Sequence, residues 1–143
     1  MEQKNNTPRG IRNCNPLNIV HSLSNWRGMA QEQPDRKFVT FRSMPWGIRA
    51  GFKVLQTYHS RWRCCALSQY IRRWAPPIEN DTKAYTTFVA KEAGIKSDML
   101  LPAPRKNEAL WCKIVAAMIR MECAQKVDDE LIHQGWHLAF DEI

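Results

Sequence analysis

The sequence lacks any apolar run near the roughly 20 residues that a membrane-spanning helix needs. Its start, MEQKNN, is too polar for a secretory signal. We therefore expect neither a membrane protein nor export through a cleaved leader. We expect a protein that is made in the cytoplasm without a signal peptide, with association with a virion as a further expectation.

A disulfide framework is also missing. The number of cysteines is odd, at five, and Cys64 and Cys65 are adjacent. Cys112 and Cys123 lie eleven residues apart, which places both on one face of a helix and indicates core packing. No C-x-x-C pair occurs, and the four histidines are interpreted as incidental. The sequence therefore predicts reduced thiols, no metal site and no cofactor.

Acidic residues are scarce in the first half of the chain. Residues 1–74 hold 13 Lys and Arg against three acidic residues, a net charge of +10. Residues 75–143 hold eight against eleven, a net charge of −3. One strongly basic half favours a polyanionic neighbour, either nucleic acid or an acidic polymer such as the cell wall. General solubility is the alternative interpretation of the same charge.

Helices are predicted throughout the chain after Ser43. The hydrophobic spacing places them over residues 45–62, 67–74, 81–93, 107–124 and 128–134. Ser43 is the expected N-cap of the first, and Pro76-Pro77 stops the second. Asn80 or Asp81 caps the third, while Gly135 is expected to end the last.

The segment before Ser43 has a different character. Residues 1–16 are polar and rich in turn signals, and only residues 17–20 and 37–41 resemble strands. In contrast, residues 107–124 are apolar around most of a helical circumference, which is typical of a helix in the middle of a protein. The sequence therefore predicts a mainly α (α+β) single domain over 1–143. A small irregular β-lobe (1–42) precedes a helical body (43–143) built around one buried helix.

Two long motifs carry a resemblance. RGIRNCNPLNI at residues 9–19 and RWAPPIENDTKAY at residues 73–85 are similar to segments of a family of phage and prophage virion structural proteins. Trp26-x-Gly28 and residues 47–50 continue the likeness. That family is related to lysozyme-like peptidoglycan hydrolases, so the resemblance implies a lysozyme-like fold and a role at the bacterial cell wall.

A looser likeness links the chain to autolysin and flagellar glucosaminidases. Their Asn-Leu-Phe-Gly-Ile block resembles residues 15–19, and their functional tyrosine corresponds to Tyr85. Their acid catalyst is a glutamate on a helix before that block. Here 14 residues precede Asn15, no stable helix is predicted among them, and Glu2 is a poor substitute. The resemblance therefore supports the fold better than the activity.

Glu122 is the carboxylate that best suits a proton donor. It ends an apolar row along the central predicted helix, and apolar surroundings favour a carboxyl group that keeps its proton. Glycosidic cleavage usually pairs such an acid with a second carboxylate about 5 to 9 Å away. The alternative is that Glu122 forms a solvated helix pair with Lys126, four residues later.

Asp35 and Glu79 are the candidates for the second carboxylate. Asp35 belongs to the β-lobe, although a turn residue after Pro34 would satisfy its own backbone in the same way. Glu79 comes just before a helix cap, where the helix dipole favours the charged form, so a base or a charge stabiliser is its expected role. Tyr85 could reach a sugar or position a water, or could simply belong to the core.

Polar and aromatic residues of the two motifs are candidate ligands of a sugar chain. Amide and guanidinium groups could bind acetamido groups and peptide-stem carboxylates, and tryptophans could stack on sugar rings. The expected substrate-binding residues are Arg9, Arg12, Asn13, Asn15, Asn18, Trp26, Trp74 and Asn80. The alternative is that the asparagines hold an irregular turn and that the tryptophans are buried.

Three functions remain open on the sequence. The leading one is cleavage of the peptidoglycan glycan strand by a muramidase, glucosaminidase or lytic transglycosylase of phage or prophage origin. The second keeps the fold without the chemistry, as a virion structural or wall-binding protein. The third is nucleic-acid binding, which the scattered basic residues disfavour. The expected partners are bacterial peptidoglycan and other virion proteins, with no membrane partner.

Overall fold

The fold consists mainly of α-helices. A computed structural model describes residues 7–141. In that range the helices are α1 (Arg9–Arg12), α2 (Met44–Trp62), α3 (Leu67–Trp74), α4 (Thr82–Ala93), α5 (Glu108–Cys123) and α6 (Asp129–Phe140). The mainly α class is confirmed, and the first four of the five predicted helices agree with α2 to α5 within one residue at each end. None of these helices is long and apolar enough to cross a bilayer.

The prediction of strands over residues 17–20 and 37–41 is wrong, because these segments form isolated bridges and no continuous ladder. Within residues 7–141 the N-terminal region has isolated bridges, between Val20 and Phe38 and between Met29 and Phe41. The buried Asn15 side chain explains this. Its amide nitrogen donates to the carbonyls of Ile19 (2.9 Å) and Val39 (2.8 Å), and its oxygen accepts the Ile19 N–H (2.9 Å). One side chain thus satisfies backbone groups that a longer ladder would otherwise pair.

The prediction that no helix precedes Asn15 needs a correction. Residues Arg9–Arg12 form one helical turn, and the Arg12 N–H donates to the Pro8 carbonyl at 3.0 Å. Pro8 directly before the first helical residue suits such a start, because a proline has no N–H to satisfy there. Glu2, considered and set aside as a substitute acid, lies outside the described residues.

Helix α5 is the buried helix that its composition predicts. Trp111, Ile114 and Met118 are fully buried along it, and α4, α6 and α1 all pack against it. The Asn107 side chain caps its start by accepting the Leu110 N–H at 3.0 Å. Ala124, in the left-handed conformation at φ 53°, ends it. The helix therefore stops just after Glu122 and Cys123.

The predicted end of α6 at Gly135 is wrong, since the helix continues to Phe140. Gly135 has a packing role instead. A Cβ at this position would lie 2.5 Å from Cγ2 of Ile48, so the missing side chain lets α6 approach α2 closely. Close packing between these helices outweighs the modest helix-breaking tendency of one glycine.

Candidate active site

A groove of about 630 Å³ runs between the N-terminal region, α2 and the end of α5. Four aromatic side chains supply flat apolar faces along it, namely Trp26, Phe38, Tyr58 and Trp74. Its polar lining includes Glu122, Glu79, Asn18, Asn80, Lys37 and Lys53. Aromatic faces beside amides, lysines and carboxylates suit a ligand built of sugar rings with polar substituents.

Glu122 is held at the wall of this groove by donors from three separate parts of the chain. Its Oε1 accepts from Nδ2 of Asn18 at 3.0 Å. Its Oε2 accepts from the Tyr85 hydroxyl at 3.0 Å and from Nε1 of Trp74 at 3.2 Å. Because α3, α4 and the N-terminal region each contribute one donor, the carboxylate position is set by the tertiary structure.

The alternative pairing of Glu122 with Lys126 does not occur. Helix α5 ends at Cys123, so Lys126 is not one helical turn beyond Glu122. Instead, the end of α5 packs against the first motif, where the Cys123 thiol contacts the Pro16 carbonyl at 3.1 Å. A helix-borne glutamate therefore does lie against residues 15–19 in space, although it follows them in the sequence.

Tyr85 serves as a hydrogen-bond donor in this arrangement. It is buried on α4, and its hydroxyl points at Glu122. Burial is the main cause that raises the pKa of Tyr85 far above its usual range, and the neighbouring Glu122 charge adds to it. The hydroxyl therefore remains protonated at any physiological pH and can continue to donate.

Glu79 and Asn80 lie at the exposed rim of the same groove. The structure thus brings two of the three candidate carboxylates, Glu79 and Glu122, to one cavity. Asn80 donates to the Pro76 carbonyl at 3.1 Å. The cap of α4 is Asp81, whose side chain accepts the Ala84 N–H at 3.0 Å. The two residues before it, Glu79 and Asn80, are not needed as caps and line the groove.

Asp35 is not brought to the groove. Its oxygens contact Nε and Nη2 of Arg9, at 2.5 and 2.7 Å, and Nδ2 of Asn13 at 3.0 Å. The backbone N–H groups of Lys37 and Phe38 donate to it as well. These bonds, with the Arg9 pair the largest contribution, hold the pKa of Asp35 far below its usual range. The structure therefore corrects the expectation for Asp35, which organises the loop that it belongs to.

Asp35→Asn is expected to weaken the fold at neutral pH more than at acidic pH. Because the pKa of Asp35 is lower in the folded than in the unfolded protein, its contribution to the free energy of unfolding is complete above the unfolded pKa of about 3.9. It is lost as the pH falls from there toward the folded pKa. Urea unfolding of both proteins between pH 7 and pH 2.5 tests this. A stability difference that stays constant over the whole range would contradict it.

Three other residues of the first motif, Arg9, Asn13 and Asn15, have contacts within the fold. Asn15 is fully buried, and Asn13 is buried between Asp35 and the Thr40 hydroxyl (3.0 Å). Arg9 is engaged with Asp35, and Arg12 is exposed on α1 outside the groove lining. None of these four lines the groove, and their contact with a sugar chain stays a prediction. Asn18, Trp26 and Trp74 do line the groove.

Some residues that line the groove were not predicted from the sequence. Lys53, Thr57 and Tyr58 lie on one face of α2 and line the groove. Their spacing of four and five residues indicates a shared helix face, but the sequence does not show whether such a face packs in the core or lines a groove. Lys37 follows Asp35 in the loop and was missed because no periodicity applies there.

The histidines are not incidental either. His133 and His137 lie one turn apart on α6, and both contact Oε2 of Glu108, at 2.6 and 3.0 Å. This i, i+4 spacing was visible in the sequence. Glu108 is thereby stabilised as a carboxylate, which lowers its pKa. In residues 7–141 no group of three His, Cys, Asp or Glu side chains could hold a metal ion.

Comparison with known proteins assigns the chain to a family. Protein P5 of Pseudoalteromonas phage PM2 is 37% identical over 123 residues, which is 84% of this chain and 74% of that protein. This chain belongs to the P5 family. The phage part of the resemblance in the two motifs is thus confirmed. No family model matches the chain.

Proposed function

We propose that this protein cleaves the glycan strand of bacterial peptidoglycan in the groove beside α5. The observation that carries this proposal is the position of Glu122, which three donors hold at the wall of a groove lined by aromatic faces. A phage protein would meet the cell wall during entry or lysis. Membership of the P5 family is compatible with either occasion.

The two groove carboxylates have different expected roles. Oε1 of Glu122 accepts from Asn18 alone among the described residues, whereas Oε2 already accepts from two donors. Oε1 is therefore the oxygen to carry a proton and give it to the glycosidic oxygen as the bond to the anomeric carbon breaks. Glu79, at the exposed rim, is the group to stabilise the resulting cation or to activate water.

Clearing of purified peptidoglycan sacculi tests the reaction. The protein is expected to reduce the turbidity of a sacculus suspension and to release soluble muropeptides. Mass spectrometry of these products separates hydrolysis, which adds a water, from formation of an anhydro sugar. Full binding to sacculi with no released product would refute the reaction.

Tyr85→Phe is expected to slow clearing about tenfold, because the Oε2 donor from α4 is lost while Trp74 keeps its hydrogen bond. Tyr85 is a positioning residue on this view, so kcat should fall while the affinity for sacculi stays unchanged. Rates and sedimentation binding measure the two separately. Tyr70→Phe is the matched control, since that buried hydroxyl contacts His59 outside the groove. Equal losses in both variants would contradict a specific role of Tyr85.

Wall binding without cleavage is the second candidate. The three hydrogen bonds to Glu122 join α3, α4, α5 and the N-terminal region. A Glu122 whose role is only to hold these segments together would have the same hydrogen bonds. This candidate predicts that the protein sediments with sacculi and that no muropeptide is released by wild type or by any variant.

A further inference from the structure

A second pocket, of about 210 Å³, lies between α2, α6 and the loop around Arg27. Four basic side chains line it, namely Arg27, Arg49, Lys53 and Arg105. Arg49 and Lys53 lie one turn apart on α2, while Arg27 and Arg105 come from two other segments of the chain. Among residues 7–141 the lining carboxylate is Asp141, and its Oδ2 is hydrogen-bonded to Nδ1 of His137 at 2.7 Å.

Arg49 is the unusual member of this group. Arg49 is only 8% exposed to solvent, and its Nε has no hydrogen-bond partner within residues 7–141. Its guanidinium lies 5.8 Å from the centre of the Trp46 ring, and that of Arg27 lies 5.6 Å from the same ring. No carboxylate of the described chain forms an ion pair with either arginine. Burial and the charge of Arg27 both lower the pKa of Arg49.

Buried arginines are normally paired with an anion, because burying a charge without a partner is costly. Contact with one aromatic ring offsets part of that cost. Two neighbouring guanidiniums that repel each other are best neutralised by an anion with more than one charge and several acceptor oxygens. Phosphate has both properties, and guanidinium groups bind it in a forked geometry.

We propose that the pocket around Arg49 and Arg27 binds a phosphate group, either as the free anion or as a small phosphate ester. A volume of about 210 Å³ accommodates one such group. The pocket shares Lys53 with the groove but includes neither Glu122 nor Glu79, so the proposal does not rest on the proposed cleavage reaction.

Binding of inorganic phosphate to the full chain tests the proposal, by thermal shift and by ³¹P NMR at constant ionic strength. Phosphate is expected to raise the unfolding temperature of the wild type, and an equal concentration of acetate is expected to raise it less. Arg49→Met should weaken phosphate binding at least tenfold, and Arg27→Gln several-fold. Arg36→Gln removes one charge at an exposed residue outside the pocket lining and should bind like the wild type.

Each outcome decides the question. Glycerol 3-phosphate that binds as tightly as inorganic phosphate indicates an esterified ligand, and weaker binding indicates the free anion; both support the site. Equal stabilisation by acetate and phosphate would overturn it. So would an unchanged phosphate affinity in Arg49→Met, or in the exposed Arg27→Gln if Arg49→Met does not fold.

Discussion

Glu122→Gln is expected to abolish the clearing of sacculi, with a loss of roughly 10²- to 10⁴-fold, the usual range for removing a general acid or base. The amide cannot give a proton to the glycosidic oxygen. Its NH₂ group also faces one of the donors that now point at the carboxylate, at a cost of about 1 kcal/mol in stability. Turbidity assays measure the rate, and thermal unfolding shows that the variant is folded.

The matched control is Glu130→Gln, a substitution of the same kind at an exposed residue of α6. It is expected to keep both the clearing rate and the affinity for sacculi. Glu122→Gln should keep the affinity and lose the rate, because the aromatic lining of the groove is untouched. Clearing at the wild-type rate by Glu122→Gln would remove Glu122 from the reaction and leave the wall-binding candidate in its place.

Gly47→Ala is expected to have the largest effect on stability. A Cβ at Gly47 would lie 2.0 Å from the backbone oxygen of Cys14, far inside van der Waals contact. The first turn of α2 and the segment around Cys14 would have to separate, at a cost of about 3 kcal/mol. That segment also carries Asn18, so its hydrogen bond to Glu122 is expected to break and the clearing rate to fall.

Gly94→Ala is the control for this prediction. A Cβ at Gly94 meets no atom within 4 Å, but the residue adopts φ +70° at the end of α4. The expected cost is therefore backbone strain alone, about 1 kcal/mol, with clearing unchanged. Urea unfolding compares the two variants. Similar destabilisation by both would show that contact with Cys14 is not what matters at Gly47.

The helices were predictable because their signals are local. Ser43 occupies the N-cap position of α2 without a side-chain capping bond, Asn107 caps α5, and α3 stops after Trp74; each signal depends on residues within one or two turns. The end of α6 was not predictable in this way. Gly135 is a stop signal in isolation, and its actual role depends on Ile48, more than 80 residues earlier.

The candidate site was predictable only in part. The apolar row that ends at Glu122 singled out this carboxylate, and the second motif contained Trp74 and Tyr85. The prediction that Asp35 lines the groove was wrong, because the sequence does not distinguish an acidic loop residue that faces a groove from one that pairs with an arginine. Its partner Arg9 lies 26 residues away, in a region with no periodicity to relate the two.

The sequence by itself determined the helical class, the burial of α5 and the basic character of the N-terminal half, since each follows from composition or from spacing along one segment. The tertiary structure alone decided which polar groups meet. Asn18 and Glu122 are 104 residues apart, and only the docking of the N-terminal region on the end of α5 brings them within 3.0 Å. In the same way, the packing around α2, α6 and the loop of Arg27 buries Arg49 without a carboxylate partner among the described residues, because contacts between distant segments depend on how whole faces fit together.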